Sequence, residues 1–488
     1  MMRKLPSILT AFALALGAGV TAANAQMDAM DALNAPPATP PKLPPSIVYA
    51  QDIIAFTHAQ IIDGTGAAPR RDMTLISDHG KIAALGPSAH THIPTGATII
   101  DMHGKTLLPG FVMVHEHLFY PLGQGNYDGL LNSFPALYLA GGTTTARTGG
   151  TVSPDGDLNL RDAIARGEAI GPDLDVTAPY LNGPGQPIYK MHILKDPADA
   201  TRTVNYWAEE GATSFKAYMT LTRDELAAAV VAAHAHNLKI TGHLCSVTYR
   251  EAAERGIDNL EHGFAAMTDF VKGKTPDVCP PQSILSLVDL DVNGPEIKSL
   301  IGLLIAHHVA LTSTLTVFET FTPGRPEAPE AARAMLIPEL RSAYETSWTA
   351  VQTQDRSKPY VTIFPKLMKL EKMFADAGGT LLAGTDPTGY GGVIPGWSAK
   401  REVELLVEAG FTFPAALKIA TLNGAQYLGR DATVGSLAIG KRADLAVIDG
   451  DPARDPMALE HMPLVFKAGI GYRTDLIMDG FRGKVGLY

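Results

Sequence analysis

Five short apolar segments, each ending at or near a histidine, a lysine or an aspartate, constrain the fold of this 488-residue chain more than any other feature. Buried parallel strands have such apolar, β-branched sequences. Polar residues at the carboxyl ends of successive parallel strands are typical of a (β/α)8 barrel. The ordered set therefore predicts an α/β protein built on a (β/α)8 TIM barrel. The five segments are Phe111–His117, Thr213–Tyr218, Lys239–His243, Asn259–His262 and Thr380–Asp386.

The chain contains three His-x-His pairs, and their local context separates them. His115 and His117 lie on a predicted strand, where residues i and i+2 point to the same side. His234 and His236 end a predicted helix, where such residues point to different sides. The third pair lies in a polar, turn-rich stretch. Only His115 and His117 are therefore expected to converge on one metal ion.

The composition is that of a globular enzyme, with 46% hydrophobic and 18% charged residues. The length accommodates one barrel and a second small domain. The formal net charge of −10 argues against nucleic acid or an anionic membrane as the main partner. We therefore expect a small-molecule substrate, and the sequence leaves a homo-oligomer open.

Residues 1–25 have the pattern of a secretory signal peptide. Arg3 and Lys4 precede a short apolar run, which ends in an Ala-Asn-Ala cleavage site. Residues 26–47 are rich in proline and alanine and predict an extended linker. No other segment is long and apolar enough to span a membrane. The sequence predicts a periplasmic or secreted protein with no integral membrane segment in the mature chain.

Cys245 and Cys279 are the two cysteines of the chain. An exported protein could pair them, but two cysteines do not make a disulfide framework. The pattern favours small buried thiols and leaves open whether they are free.

Strand and turn signals at both ends of the chain predict a second domain. Residues 48–110 and 431–488 have this character, and the simplest arrangement is one small β-sandwich built from both chain ends. The barrel is expected at 111–430, where strands alternate with helices. Further predicted strands are Thr143–Arg147, Leu174–Pro179 and Ala310–Val317, and predicted helices are 199–210, 222–236, 399–409 and 413–428.

Two predicted connections are unusually long. One runs from His262 to Ala310 and the other from Val317 to Thr380. Loops of this length are often functional. Both follow the carboxyl ends of predicted strands, so we expect them to overhang the site.

Taken together, the motifs resemble those of the amidohydrolase superfamily over about residues 50–480. The particular resemblance is to its imidazolonepropionase-like and prolidase-like branch, which includes carboxypeptidase-type enzymes acting on dipeptides and N-acyl amino acids. One departure is the segment 387–397, which lacks the histidine-glycine pair common in relatives. The matching motifs are Leu108-Pro109-Gly110-Phe111, His115-Glu116-His117, Ser214-Phe215-Lys216, Gly242-His243, Glu261-His262-Gly263, Gly384-Thr385-Asp386, Thr421-Leu422-Asn423-Gly424-Ala425 and Gly440-Lys441-Arg442-Ala443-Asp444-Leu445.

The resemblance implies two divalent metal ions, with zinc as the expected metal. It implies that Lys216, carboxylated by CO2, bridges the two ions. The bridging hydroxide would be the nucleophile, with Asp386 accepting its proton. By resemblance, the first ion is bound by His115, His117 and Asp386, and the second by His243 and His262.

Lys216 and Asp386 each have a simpler interpretation. From composition alone, Lys216 is a charged lysine paired with a nearby acid, whereas a carbamate needs a neutral amine that burial favours. Asp386 is alternatively a turn or capping aspartate before Pro387. Their positions on predicted strands favour the functional interpretation of both residues.

Other residues near the motifs have less certain roles on sequence grounds. Alternation along the strands points Glu116 and Glu261 away from the metals, so we expect both to pair structurally. Tyr218 is a candidate hydrogen-bond donor to the developing oxyanion, or packs in the barrel mouth. Arg147 is a candidate to bind a substrate carboxylate, or forms a structural ion pair. Three further pocket candidates follow the third strand, namely Tyr180, Tyr189 and His192.

The first functional hypothesis is hydrolysis of an amide bond in a small substrate, such as a dipeptide, an N-acyl amino acid or a related amide. The second is hydrolysis of lactones, carbamates or organophosphate-like esters at the same site. Deamination is less expected, because deaminases of this superfamily typically use one metal and no carboxylated lysine. A metal-free scaffold is least expected, since such relatives lose ligands and all six are present here.

Overall fold

The computed structural model describes residues 45–122, 126–185 and 191–487. The predicted signal peptide, 1–25, and nearly all of the predicted linker, 26–47, lie outside the described residues. The first described strand begins at Ile47, so the linker prediction ran one residue into regular structure.

Strands and helices of the described residues are numbered in chain order. The strands are β1 (Ile47–Tyr49), β2 (Ile53–Ile61), β3 (Arg70–Asp78), β4 (Lys81–Pro87), β5 (Thr98–Asp101), β6 (Lys105–Pro109), β7 (Phe111–Glu116), β8 (Phe119–Pro121), β9 (Tyr127–Gly129), β10 (Thr143–Thr148), β11 (Asp173–Asp175), β12 (Leu181–Asn182), β13 (His192–Ile193), β14 (Ser214–Ala217), β15 (Lys239–Gly242), β16 (Asn259–Glu261), β17 (Ala310–Ser313), β18 (Leu381–Ala383), β19 (Leu445–Asp449), β20 (Leu464–Lys467) and β21 (Ile470–Arg473). The helices are α1 (Phe134–Ala140), α2 (Pro154–Ala165), α3 (Pro197–Glu209), α4 (Arg223–Ala235), α5 (Tyr249–Glu254), α6 (Ser286–Asp289), α7 (Pro295–Ala306), α8 (Leu315–Thr320), α9 (Glu330–Arg333), α10 (Pro338–Thr353), α11 (Tyr360–Asp376), α12 (Ser398–Glu408), α13 (Phe413–Lys418), α14 (Gly424–Tyr427) and α15 (Thr474–Phe481).

Strands from both ends of the chain share one nine-stranded sheet, in the order β1-β21-β20-β19-β6-β2-β3-β4 with β5 beside β2. The two ends meet where β6 pairs antiparallel with β19, from Lys105 opposite Asp449 to Pro109 opposite Leu445. The sheet has its own core, which includes Phe56, Leu107, Leu445 and Phe466. The structure thus places both ends in one sheet, as the turn and strand signals indicated. The two-layer sandwich stays a prediction.

Parallel strands form the second part of the fold. One run is β7-β10-β11 and another continues through β14-β15-β16-β17-β18. An isolated bridge between Thr177 and Ser214 links the segment after β11 to β14. At the other end, the amides of Thr385 and Asp386 donate to the carbonyl of His115 on β7, at 3.0 and 3.1 Å. This succession of eight parallel strands is the order that the predicted barrel requires.

Most strand and helix predictions are confirmed, but two predicted strands extend too far and one predicted helix is not a single regular helix. The strand predicted at Ala310–Val317 ends at Ser313, and helix α8 begins at Leu315. The strand predicted at Leu174–Pro179 is regular only over Asp173–Asp175. The helix predicted at 413–428 is α13 and α14, joined by a π-helical turn at Ile419–Asn423.

The two long connections are not structureless loops. The first contains α6 and α7, and the second contains α9, α10 and α11. Helix α7 packs Ile297, Leu300 and Leu304 into the main core, as a crossover helix between parallel strands does. The helices of these connections therefore belong to the fold itself.

Cys245 and Cys279 form a disulfide bond, with their Cα atoms 4.8 Å apart. The expectation of small buried thiols was therefore wrong. The bond attaches the connection after β16 to the segment that directly follows β15.

Among the described residues, no helix has the length and apolar character needed to cross a bilayer.

Candidate metal centre

All six predicted metal ligands line one pocket. They come from the ends of five different parallel strands, and each lies at or just beyond the carboxyl end of its strand. Carboxyl ends of parallel strands meet at one edge of a sheet, which explains the convergence. The ligands are His115, His117, Lys216, His243, His262 and Asp386.

Gly384 allows the last of these strand ends to approach the first. A Cβ atom at this position would lie 2.3 Å from the Cβ of His115 and 2.8 Å from its backbone nitrogen. Only glycine fits such a close approach of two backbones. The residue two positions later, Asp386, has a φ of 52°, which turns the chain sharply after the strand. Both features bring the Asp386 carboxylate over the His-x-His pair.

The Asp386 carboxylate lies at the centre of the histidines. Its Oδ1 is 3.1 Å from Nε2 of His117 and 3.7 Å from Nε2 of His115. Its Oδ2 is 3.7 Å from Nδ1 of His262. Burial raises the pKa of Asp386, but the interactions with the nearby His115 and His117 rings outweigh that effect and hold its pKa well below the usual range. The carboxylate is therefore an anion, as a metal ligand must be.

Burial keeps three of the histidines neutral. It lowers the pKa of His117 to about 4 and that of His243 to about 3. The pKa of His262 is also held well below the usual value, chiefly by burial. Neutral imidazole is the form that binds a metal ion, so these side chains are ready to act as ligands.

Two of the rings are oriented through Nδ1. Nδ1 of His117 lies 3.3 Å from the carbonyl oxygen of Gly150, and Nδ1 of His262 lies 2.9 Å from Oγ1 of Thr314. A hydrogen-bond partner at Nδ1 fixes the orientation of the ring and leaves Nε2 free to bind a metal ion. The buried Nε2 of His262 makes no hydrogen bond to any residue that the structure describes.

The donor set fits a divalent metal ion. Two groups of potential ligands have atoms within 4.8 Å of one another. One is His115, His117 and Asp386, and the other is His115, Glu261 and His262. In the described part of the chain, both ring nitrogens of His115 are buried without a hydrogen bond. Buried polar atoms without partners are costly, and a bound cation would satisfy them.

Glu261 pairs with basic groups, as the sequence analysis expected, but it lies among the candidate ligands and does not point away from them. The Nζ atom of Lys216 forms an ion pair with its Oε2, and Nδ1 of His115 lies 3.1 Å from the same oxygen. Oε1 accepts from Thr241 at 2.6 Å and from Arg147 at 3.1 Å. Burial lowers the pKa of Lys216, although Glu261 opposes this. The ion pair with Glu261 agrees with the simpler of the two interpretations of Lys216, a charged lysine beside an acid. The carbamate stays a prediction.

Arg147 lies beneath the pocket and does not line it. Its side chain is 1% exposed. Its guanidinium donates to Oγ of Ser214, the carbonyl of Val114, Oγ1 of Thr241 and Oε1 of Glu261, at 2.8 to 3.1 Å. The prediction that Arg147 binds a substrate carboxylate was therefore wrong, because its donors are used within the protein. The structural ion pair is what the structure shows.

Tyr218 and Tyr180 line the pocket, with ring centroids 4.9 Å apart. His192 does not line it; its Nε2 lies 3.2 Å from Asp199 instead. Tyr189 is outside the described residues. Burial raises the pKa of Tyr218 well above its usual value, so the hydroxyl stays protonated and can donate.

Glu116 points away from the ligands, as strand alternation predicted, but its partner differs from the prediction. Its Oε2 accepts from Oγ1 of Thr385 at 2.5 Å, and no basic group among the described residues pairs with it. Burial raises its pKa to about 8, so the group is largely neutral at pH 7.

Several residues of the pocket wall were missed by sequence analysis. Phe119 lies two residues after His117 and continues the same strand parity, a signal that could have identified it. The others come from irregular segments or, for Tyr127, from the start of a three-residue strand, and periodicity gives no information there. They are Tyr127, Val152, Met191 and Thr388.

Comparison with known proteins agrees with this geometry. The model of the amidohydrolase family matches residues 106–469, so the chain belongs to that family. A crystal structure of a putative prolidase from Bifidobacterium longum superposes with a TM-score of 0.66 and 26% identity, covering 89% of this chain and 99% of that one. The family and the prolidase-like branch indicated by the motifs are thus confirmed.

Two curated relatives match over shorter stretches. An imidazolonepropionase of Nocardia farcinica (strain IFM 10152) is 41% identical over 51 residues, which is 10% of this chain and 12% of that protein. An N-acyl-D-aspartate deacylase of Alcaligenes xylosoxydans xylosoxydans is 32% identical over 125 residues, which is 25% of this chain and 22% of that protein. The matched stretches thus span less than a quarter of either curated relative.

Proposed function

We propose that this protein is a metal-dependent hydrolase that cleaves a carbon–nitrogen amide bond of a small substrate. The observation that supports this most directly is the convergence of all six predicted ligands on one buried pocket. Family membership and the names of the relatives point to the same chemistry. We also propose that the eight parallel strands close into a (β/α)8 barrel, with the pocket at its carboxyl-terminal mouth.

The proposed centre holds two divalent ions, with zinc as the expected metal. His115, His117 and Asp386 would bind the first ion, and His243 and His262 the second. Lys216, carboxylated on Nζ, would bridge them, and the lowered pKa of its amine favours the neutral form that takes up CO2. When bound, the ions would supply polarisation of the scissile carbonyl and a lowered pKa of water.

The protein's own residues complete the reaction. Asp386 is an anion and sits centrally, so it can accept a proton from the attacking water and pass it to the leaving nitrogen. The Tyr218 hydroxyl, which stays protonated, can donate to the oxygen that gains negative charge. Burial of the pocket strengthens both interactions.

The residues of the pocket wall indicate the chemical character of the substrate. Phe119, Tyr127, Val152, Tyr180 and Met191 give it an apolar, aromatic character. Lys216 is the only lysine or arginine side chain in the described part of the wall. The proposed substrate therefore carries an apolar or aromatic group next to its amide bond.

We propose that the protein acts in the periplasm or outside the cell. The pattern of residues 1–25 and the Cys245–Cys279 disulfide support this, because disulfides persist in oxidising compartments. Cell fractionation with a C-terminal tag tests it, and recovery of the full-length protein in the cytoplasm would contradict it.

The central test is metal content together with activity. Elemental analysis of the purified protein should give about two divalent ions per chain. Lys216→Ala should lose metal and activity together, whereas Lys358→Ala, at an exposed lysine, should lose neither. About one ion, with activity retained in Lys216→Ala, would contradict the bridged centre.

A panel of substrates distinguishes amide hydrolysis from the hydrolysis of lactones or esters. Dipeptides, N-acyl amino acids and neutral aryl amides are compared with lactones and aryl esters at equal concentration. Higher kcat/KM for amides supports the proposal, with neutral aryl amides expected to rank first. Turnover confined to lactones or esters would favour the second hypothesis instead.

A further inference from the structure

A second cavity lies apart from the metal centre. Among the described residues, the two pockets have no wall residue in common. The cavity is bounded by the chain between β17 and the end of α10, by the segment that follows Asp386, by α12, and by the turn that contains Met457 and Glu460. Four aromatic side chains line it, namely Tyr344, Trp348, Tyr390 and Trp397. An apolar, aromatic wall with a few polar groups is typical of a small-molecule site.

A cluster of charged side chains lies at one side of this cavity. Arg401 donates to both carboxylate oxygens of Glu319 and to Oε2 of Glu404, at 2.7 to 2.9 Å. Arg325 donates to Glu319 and, through two nitrogens, to Glu408. Three carboxyl groups therefore face two guanidinium groups, so the cluster has one more acidic group than basic groups.

One of the three carboxyl groups, that of Glu404, is buried, and burial raises its pKa although Arg401 opposes this. Glu404 lines the cavity, and only 5% of its side chain is exposed. Its Oε2 is paired with Arg401, but Oε1 makes no hydrogen bond to any described residue. The buried hydroxyl of Ser398, also in the wall, likewise has no partner in the described part of the chain. Buried polar atoms without partners cost free energy that a ligand's N–H groups would recover.

We propose that this cavity binds a small organic amine with an apolar or aromatic body. The ammonium group would donate to the unpartnered Oε1 of Glu404, favour its ionised form, and lie against the aromatic faces, which attract cations. The apolar body would fill the space between Trp348, Tyr390 and Trp397. The proposal does not depend on the proposed reaction, because neither the metal centre nor turnover enters it.

The test uses intrinsic fluorescence, because two of the chain's three tryptophans line the cavity. The third, Trp207, is replaced in a Trp207→Phe background so that the signal comes from Trp348 and Trp397. The full-length, metal-loaded protein is titrated with phenethylamine, and in parallel with 2-phenylethanol, which has the same body without the charge. We expect saturable quenching by the amine and binding at least tenfold weaker for the alcohol. No saturable signal with the amine, or equal binding of the alcohol, overturns the proposal.

Two variants test whether the amine binds in this cavity. Glu404→Gln removes the charge but keeps an acceptor for Arg401, and should weaken amine binding at least tenfold. Ala328→Leu fills the cavity and should weaken it similarly. Glu339→Gln, at an exposed position on α10, is the matched control and should not change it. Unchanged amine affinity in either variant, if that variant is folded, overturns the assignment of the amine to this cavity. If circular dichroism shows that Glu404→Gln does not fold, the affinity of Ala328→Leu and the comparison of phenethylamine with 2-phenylethanol decide the question.

Discussion

At the scale of single residues, the convergence of the six candidate ligands on one pocket could be predicted, but the groups that orient them could not. The histidines stand out because they end apolar runs at ordered positions along the chain. Their Nδ1 partners, Gly150 and Thr314, lie 33 and 52 residues away from the rings they orient. Glu261 was assigned only a structural pairing, yet it contacts Lys216, His115 and Arg147 at once. Such contacts depend on strand order in space, which a local pattern does not encode.

Tyr218→Phe tests the proposed donor to the oxyanion. Removing the hydroxyl should lower kcat/KM by about 10²- to 10³-fold, the usual effect of losing one such donor. Metal content should stay unchanged, because the hydroxyl is not one of the proposed ligands. Tyr206→Phe, at a side chain that is 55% exposed, is the control. Full activity of Tyr218→Phe would assign the residue to packing alone.

Arg147→Ala should destabilise the protein without touching the substrate pocket. The change leaves the carboxylate of Glu261 buried without its guanidinium partner, which typically costs about 3 to 5 kcal/mol. Urea unfolding measures the loss of free energy. Arg482→Ala, which breaks an exposed pair with Asp479, should change it by less than about 1 kcal/mol. A change in KM with unchanged stability would instead restore a role in substrate binding.

At the scale of elements, the prediction failed where a distant residue decides the local structure. The sequence Ala310–Val317 reads as one strand, yet the chain becomes helical at Leu315. The amides of Leu315 and Thr316 donate to the carboxylate of Glu402, at 3.3 and 2.9 Å. This cap comes from more than 80 residues away, so β-branched residues that favour a strand begin a helix instead.

Helix α2 carries a buried acid whose ionisation opposes folding. Burial raises the pKa of Asp157 to about 7, although a hydrogen bond with Thr151 lowers it. Between about pH 4 and 7 the folded protein therefore keeps a proton that the unfolded chain releases, so this residue makes stability fall as pH rises, by up to about 1.4 kcal/mol per pH unit.

Asp157→Asn should remove this pH dependence. The free energy of unfolding of the variant, relative to wild type, should rise between pH 5 and pH 7 in chemical denaturation. Asp155→Asn, an exposed position in the same helix, provides the comparison and should show no such trend. A relative stability that falls with pH would show that Asp157 is ionised in the folded state.

At the scale of the whole molecule, the ordered ligand segments predicted the parallel strands, and the turn-rich ends predicted a shared sheet. The second cavity was not predictable, because it is formed by separate segments of the chain that have no common pattern. The disulfide was also missed, since two cysteines give no spacing motif. Its bond depends on the connection after β16 folding back to the end of β15.

Loss of that disulfide should lower stability measurably. Cys245 and Cys279 are 34 positions apart, and closing a loop of that size stabilises a protein by about 3 to 4 kcal/mol in the chain-entropy model. In a variant with both cysteines replaced by serine, the free energy of unfolding should be lower by this amount, and the midpoint of urea unfolding should fall accordingly. Reductant should shift wild type towards the variant and leave the variant unchanged. An unaltered midpoint for wild type in reductant would contradict the prediction.

The pairing of β6 with β19 also has a consequence for biosynthesis. Lys105 and Asp449 form an ion pair across 344 positions of sequence. The edge of β6 that pairs with β19 therefore stays open until residues 445–449 have been synthesised. Contacts so distant in sequence slow folding, and an open strand edge invites aggregation. A premature stop before codon 445 would leave β6 without this partner, so the truncated product should aggregate even though most of the chain has been made.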